Sequence, residues 1–248
     1  MLRRAAWCAA LTVAAAAAAQ GGPAPWQNSS LPVAERVADL VSLLTLEEAV
    51  ANLYSNAMAG APRLGLPAYR MDAECMRGAV TSGVNKRPLG TGLPTLLALA
   101  STFDVRLIAR AAAVGATEVR AYYNIDRRNN SLPTTANCYA PVVNLVRDPR
   151  WGRNAEMVIG EDPALGRIYA RAWTAAMRGG AAPGNTTAKL VSSVCKHIAT
   201  YGGPESGPVG RMAFTATLDE RSWRETFLPA FRGSAEAGAD ALFVPPQR

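Results

Sequence analysis

The stretch Ala140-Pro141-Val142-Val143-Asn144-Leu145-Val146-Arg147-Asp148-Pro149-Arg150-Trp151-Gly152-Arg153 decides how this chain is read. Ala140 to Val146 is an apolar run of strand length. Directly after it, Arg147 to Arg153 gathers three arginines, an aspartate, a tryptophan and a glycine. In strand-rich α/β proteins, ligand sites gather where buried strands end, because the following loops converge on a rigid scaffold. A polar ligand is the functional reading of this stretch. A solvated turn with incidental arginines is the structural one, and the stretch alone leaves both open.

Working downstream, Asp162 stands where a cap belongs and Pro163 where a helix opens, with Leu165 and Ile168 on that helix. Leu190 to Cys195 is a strand candidate ending at Lys196 and His197, Asp219 caps a further helix, and Ala239 to Val244 reads as extended. Upstream, Asp104 caps a long helix whose inward side is Leu107, Ile108, Ala111, Ala112, Gly115 and Val119. The small residues among them fit close packing on a sheet. Arg63 to Tyr69 reads as a turn and short strand that delivers Asp72, Glu74 and Arg77 ahead of Gly78. Before it, Pro32 takes a first helical position and Val37, Leu40, Val41 and Leu44 recur on one face. Thr45 and Glu48 then form a T-x-x-E capping box for a second helix carrying Val50 and Leu53.

Alternating strands and helices with charge at the strand ends favour an α/β fold with a parallel sheet or barrel over a helical bundle. The strands are too few for eight. The expectation is therefore a (β/α) TIM-barrel-like domain, incomplete at the C-terminus, where the last strand candidate runs into Pro245-Pro246-Gln247-Arg248. A partial barrel leaves an open strand edge and exposed apolar surface, so instability or association is expected of it. Thr200 to Gly210 is rich in Gly, Pro and Ser and reads as a loop bordering a site.

The 248 residues, 49% of them hydrophobic, suffice for one large domain. Arg3 and Arg4 precede an apolar stretch from Ala5 to Ala19 that closes on small residues, the pattern of a secretory signal peptide. The expected organisation is a signal peptide at 1–19, a leader at 20–30 and the barrel domain at 31–248, in a protein that is secreted, extracellular or in the cell wall. The Ala5 to Ala19 stretch is shorter than a typical membrane span, a short signal anchor is its alternative reading, and no later run is long and apolar enough for a stable membrane partner. Sequons at Asn28, Asn129 and Asn185 fit a eukaryotic secretory route. With Cys8 in the signal, Cys75, Cys138 and Cys195 remain. An odd number means a free thiol, a pairing with another chain, or an absent partner.

The formal charge of +7 loses two with Arg3 and Arg4. No Lys-rich tract or aromatic-interleaved basic patch points to nucleic acid. A single histidine and three dispersed cysteines lack the ligand spacing of a structural zinc site, so no metal is expected. With no G-x-S-x-G elbow and no Gly-rich dinucleotide or phosphate loop, no cofactor is expected either.

Asp72 and Glu74 are candidate carboxylates. They can accept hydroxyl hydrogens from a neutral sugar, supply acid, base or nucleophile, or form a surface ion pair. Arg153 and Asn154 offer donors, Glu156 can orient an arginine, and Trp151 offers a platform for a sugar's C–H face. An internal ion-pair network is the alternative for this group. Lys196 and His197 point to opposite faces of an extended strand, yet both can donate to one ligand where the strand ends. Arg211, just past the Gly-rich loop, is a further donor or a solvated charge.

These residues together resemble the amino-terminal domain of glycoside hydrolase family 3, in particular its plant and fungal β-xylosidases, from about Leu31 to Ala241. The resemblance is carried by Arg36-Val37-Ala38-Asp39-Leu40, Leu44-Thr45-Leu46-Glu47-Glu48 and Arg63-Leu64-Gly65-Leu66-Pro67-Ala68-Tyr69. It continues in Asn144 to Glu156, Gly160-Glu161-Asp162-Pro163, Lys196-His197 and Arg224-Glu225-Thr226-Phe227-Leu228-Pro229-Ala230-Phe231. It implies a barrel-like domain whose strand ends hold a non-reducing terminal sugar. Glu74 falls on the glutamate of the family's Trp-Trp-Ser-Glu-Ala-Leu-His-Gly motif, where glucose-preferring relatives more often carry aspartate. Arg153 matches a sugar-binding arginine, Lys196 and His197 a Lys-His pair, and Arg211 the arginine beyond the next loop.

Around Glu74 the sequence departs from that motif, with Met71, Asp72, Ala73, Cys75, Met76 and Arg77 in place of most of it. The resemblance also implies a nucleophilic aspartate further along and an acid/base in a later domain. The expected function is retaining hydrolysis of terminal β-D-xylose from xylo-oligosaccharides or another β-glycoside in the complete enzyme, with little turnover by these residues alone. A β-glucosidase or xylosidase/arabinofuranosidase is the enzymatic alternative. A sugar-binding or degenerate scaffold is the other.

Overall fold

In the computed structural model, the described residues are 24–54, 58–71, 73–79, 90–128, 135–148, 160–180, 189–200, 209–210, 213 and 215–244. The signal peptide expected at 1–19 and the sequons at Asn129 and Asn185 lie outside them. The chain forms two compact units, Met1–Tyr54 with Met58–Ala68, and Ser55–Ala57 with Tyr69–Arg248.

In the first unit, a 3-10 turn at Pro25–Gln27 precedes helices α1 (Val33–Leu43) and α2 (Leu46–Ala51), and a second 3-10 turn lies at Pro62–Leu64. Pro32 is the N-cap of α1, one place before the first helical position expected. The capping box forms as read: Glu48 N–H donates to Thr45 Oγ1 at 3.2 Å and Thr45 N–H to Glu48 Oε2 at 3.0 Å. Arg63 then donates to both oxygens of Glu48, at 2.8 and 2.6 Å, and holds that carboxyl below its ordinary pKa. Much of the apolar stripe of the two helices stays outward, with Val37, Val41, Val50 and Leu53 all more than half exposed and Leu40 and Leu44 partly buried. The unit is tied by polar contacts such as Glu48 with Arg63 and Asp39 with the Trp26 amide, at 3.0 Å, so the stripe is not its core.

In the second unit, β1 (Asn137–Cys138), β2 (Ser192–Lys196) and β3 (Ala241–Phe243) form a parallel sheet in chain order. A parallel bridge from Ala73 to Cys138 adds an earlier segment outside β1. Helix α3 (Leu96–Ala100) and the long α4 (Val105–Arg128) lie between that segment and β1. Helix α5 (Pro163–Met177) lies between β1 and β2. Between β2 and β3, the short α6 (Glu220–Ser222) passes through a π turn at Trp223–Phe227 into α7 (Pro229–Glu236). Strand, helix and neighbouring parallel strand repeat as in a (β/α) barrel, and among the described residues the sheet does not close. Among those residues no helix is long and apolar enough to cross a membrane.

The caps and core faces explain these elements. Asp104 Oδ1 accepts from the Arg106 and Leu107 amides at 2.8 and 3.0 Å, and α4 buries Ile108, Ala111, Ala112, Gly115, Ala116 and Val119. Asp162 caps α5 through the Ala164 and Leu165 amides, at 2.7 and 3.0 Å. Ile168 of α5 is 48% exposed. Tyr169 and Trp173, four residues apart, set the buried stripe with Gly166, Ala170 and Met177, and Ile168 falls beside it. Helix α7 lies against α5 at Gly233, where a Cβ would come within 2.2 Å of the Arg167 carbonyl oxygen.

The run from Ala140 to Val146 is buried to Leu145 but is not a regular strand. The regular strand is Asn137–Cys138 just before it, and within the run only Val142 bridges to Lys196. Pro141 has no N–H to give a ladder. Its carbonyl accepts from Lys196 at 3.0 Å, Val143 donates to the Lys196 carbonyl at 2.9 Å, and Val146 turns away to Gly160 at 2.8 Å.

Cys75 and Cys138 form a disulfide across 63 residues, and Cys195 is a buried free thiol. In the chain-entropy account, a crosslink over such a loop disfavours the unfolded chain by about 4 kcal/mol. At the N-terminal ends of β2 and β3, Asp240 accepts from the Ser193 amide at 3.0 Å, pairs with Lys189 and lies 3.8 Å from Arg178 Nε.

Candidate functional site

Lys196 is the last residue of β2, and Glu74 follows the Ala73 bridge, so both stand at C-terminal strand ends. Lys196 Nζ donates to Glu74 Oε1 and Oε2 at 2.6 and 2.7 Å. The Lys196 side chain is 3% exposed and that of Glu74 is 50% exposed. Burying an ammonium is costly unless it is paired, and Glu74 supplies the pairing charge. A carboxylate offers about four lone-pair sites. Glu74 therefore keeps acceptor capacity on its open side while the lysine fixes its orientation.

Aromatic rings continue the cluster. Lys196 Nζ lies 5.7 Å from the centroid of the Tyr139 ring, within cation–π range. Tyr139 meets Phe243 edge-to-face at 5.3 Å, and Phe243 meets His197 in the same way at 5.5 Å. A row from Tyr139 through Phe243 to His197 thus runs along the ends of the three strands.

Asn144 holds the backbone beneath this row. Its Oδ1 accepts from the His197 amide at 3.0 Å, and its Nδ2 donates to the carbonyls of His197 and Ala199 at 2.9 and 3.0 Å. The Lys196–His197 and Ile198–Ala199 peptides in this turn are cis. Ile198 N–H donates to the Phe243 carbonyl at 3.0 Å, which carries the turn over to β3.

Glu74 is placed by its segment's ties to β1. Asn137 Nδ2 donates to the Met71 carbonyl at 2.7 Å, Tyr139 N–H donates to the Ala73 carbonyl at 2.8 Å, and Cys75 is bonded to Cys138. Ala73 and Cys75 are buried while Glu74 between them is exposed, the alternation of an extended segment. Nearby on β2, burial pushes the Cys195 thiol up to about 12, which leaves it protonated and unreactive near neutral pH.

Of the sequence candidates, the structure brings together Glu74, Lys196 and, through Phe243, His197. Arg153 and Arg211 lie outside the described residues, as do Asp72, Trp151, Asn154 and Glu156. Arg147 is described, and its guanidinium stacks 4.9 Å over the Phe227 ring. Sequence reasoning missed Asn144, Tyr139 and Phe243 as site-forming residues. Asn144 carried a usable signal, because a lone amide inside an apolar run needs buried hydrogen-bond partners.

The cluster pairs one carboxylate with one ammonium and borders them with aromatic faces. An ammonium has no lone pair to give a metal, and the pair is neutral as a unit, so the chemistry suits an uncharged polyhydroxyl ligand better than a cation.

Parallel strands in chain order, with polar and aromatic side chains collected at their C-terminal ends, define an incomplete (β/α)-barrel-like domain. The chain belongs to glycosyl hydrolase family 3: residues 42–245 match the model of that family's N terminal domain. It is 34% identical over 216 residues to beta-D-xylosidase 3 of Arabidopsis thaliana, a match covering 85% of this chain and 27% of that protein. It is 36% identical over 226 residues to the exo-1,4-beta-xylosidase bxlB of Emericella nidulans, covering 89% of this chain and 28% of the relative. A solved GH3 exo-beta-xylosidase in complex with a xylobiose aziridine activity-based probe superimposes with a TM-score of 0.80 at 25% identity, over 92% of this chain and 29% of that one. The chain thus spans between a quarter and a third of the length of these proteins.

Proposed function

We propose that this chain forms the sugar-holding wall of a secreted, retaining β-xylosidase, with a xylo-oligosaccharide or another β-glycoside as its ligand. The observation that carries the reading is the Glu74 carboxylate, held through both oxygens by the buried Lys196 ammonium and half-exposed at the strand ends. In this reading Glu74 accepts hydrogens from hydroxyls of the terminal sugar, and Lys196 and His197 donate to its oxygens. The Tyr139 and Phe243 rings face its C–H groups. Arg153 and Arg211 are proposed as further donors on the same ligand.

Retaining cleavage needs two carboxyl groups about 5–5.5 Å apart, one as nucleophile and one as acid/base. Glu74 is committed to Lys196 and is assigned to binding. The nucleophile and the acid/base are assigned to parts of the longer relatives that this chain does not span. The reading is supported by the likeness to plant and fungal xylosidases and by a cluster suited to neutral hydroxyls.

The test is the kcat/KM of the complete gene product on 4-nitrophenyl β-D-xyloside, β-D-glucoside and α-L-arabinofuranoside. The xyloside is expected to lead by about tenfold or more, the scale on which pocket contacts discriminate related substrates. A lead for the glucoside or arabinofuranoside would replace xylose with that sugar. Turnover by the 248-residue chain alone, lost on Glu74→Gln, would overturn the binding-only role of Glu74.

A further inference from the structure

We propose that the Cys75–Cys138 disulfide is a positioning element of the sugar site, holding the Glu74 carboxylate and the Tyr139 ring beside the Lys196 ammonium. The inference rests on the sugar-binding reading above. Both bonded residues are buried in the core, at 1% exposure for Cys75 and 0% for Cys138. Each is the immediate chain neighbour of a group that contacts Lys196 Nζ: Cys75 follows Glu74, and Cys138 precedes Tyr139. One covalent bond thus sets the separation of two side chains that converge on the same charge.

Placement in the chain gives this bond its leverage. Side chains alternate along an extended segment, so anchoring Cys75 inward sets the backbone from which Glu74 projects the other way. The Cα atoms of the bonded pair are 5.4 Å apart. The other ties between the Glu74 segment and β1 described above are the hydrogen bonds from Asn137 to Met71 and from Tyr139 to Ala73, which reach only as far as the residue before Glu74. The disulfide secures the following side. A displacement of about 1 Å in Glu74 would carry both carboxylate contacts beyond strong hydrogen-bonding range.

The test uses the intact chain in four forms: wild type, Glu74→Gln, the pair Cys75→Ala with Cys138→Ala, and the triple variant. Xylobiose affinity is measured by calorimetry well below each Tm, and the reactivity of Lys196 toward acetic anhydride is followed by mass spectrometry. Removing the disulfide is expected to weaken xylobiose binding by about tenfold or more and to increase acetylation of Lys196. Glu74→Gln should add no further loss in the disulfide-free chain, because positioning acts through that carboxylate. A disulfide-free chain with a lower Tm but wild-type affinity and unchanged Lys196 reactivity would mark the bond as merely structural and overturn the proposal. Losses that simply add would do the same.

If the substituted chain does not fold, folded wild type is treated with dithiothreitol. The reagent passes two electrons to the S–S bond, giving two thiols and its own cyclic disulfide, and the same two readouts apply. A wild type that binds no xylobiose, yet exposes Lys196 when the bond is removed, rejects the sugar reading while the positioning role stands.

Discussion

At the N-terminal ends of β2 and β3, Arg178 and Lys189 converge on Asp240, with side-chain exposures of 2%, 17% and 19%. At the C-terminal ends, Lys196 is as deeply buried as Arg178, at 3%, but its partner Glu74 is 50% exposed. Both ends bury a basic group against a carboxylate. At the first, the acid's side chain is the better covered: Asp240 also accepts from the Ser193 amide, and Arg178 Nη1 donates to the Ala237 carbonyl at 3.3 Å. At the second, only the base is enclosed, and lone pairs of the acid face outward. The same pairing closes the sheet at one end and leaves an oriented acceptor at the other. That division follows the general one in such folds, where the N-terminal face serves stability and the C-terminal face serves chemistry.

The largest expected effect falls on the enclosed end. Asp240→Ala takes from the buried Arg178 a carboxylate 3.8 Å from its Nε and from the Ser193 amide its acceptor, at a cost of about 3 kcal/mol. A correspondingly lower urea midpoint is expected, with xylobiose affinity unchanged while the chain is folded. An unshifted midpoint would break the contrast between the two ends.

Asn144→Leu comes next. It leaves the His197 amide and the carbonyls of His197 and Ala199 without their partner, at a cost of about 2 kcal/mol. Because this turn carries His197 into the cluster, the variant should lose both stability and sugar affinity, whereas Asp240→Ala loses stability alone. Glu74→Gln takes the paired charge from the buried Lys196 ammonium but keeps an amide oxygen to accept from it, and should cost about 1–2 kcal/mol.

The smallest effect at neutral pH is that of Cys195. An unfolded cysteine loses its proton near pH ~8.5, whereas burial holds this thiol protonated up to about 12. The unfolded chain therefore binds fewer protons between those values. The contribution is fully present below the unfolded pKa and declines as pH rises toward the folded one. Iodoacetamide at pH 8 should label Cys195 only after denaturation. Replacing Cys195 with Ala should flatten its share of the alkaline loss, read as urea midpoints at pH 8 and pH 10.

Much of the fold was legible because local chemistry decided it. The caps at Thr45, Asp104 and Asp162 each supply an oxygen to amides that a helix start leaves open, and all three stand where the sequence puts them. The small inward face of α4 was legible from its spacing. The apolar stripes of α1 and α2 were visible too, but a stripe does not name what covers it. Ile168 stays outward because the larger Tyr169 and Trp173 set the phase of α5. Strand limits around Ala140 were obscured by Pro141 and by an asparagine side chain bonding the neighbouring turn in place of a ladder. Glu74, Lys196 and His197 could be read as candidates, but their convergence depends on pairings across 122 residues that no local pattern encodes. The disulfide was hidden for the same reason, since three cysteines leave the pairing open.

The central claim is that Glu74 is a sugar acceptor oriented by Lys196, and calorimetric titration of the intact chain with xylobiose tests it most directly. The account predicts binding by the wild type, a loss of about tenfold or more in Glu74→Gln, as expected when a buried donor or acceptor at a polar site is left unmatched, and no loss in folded Asp240→Ala. Wild-type affinity in Glu74→Gln would contradict it.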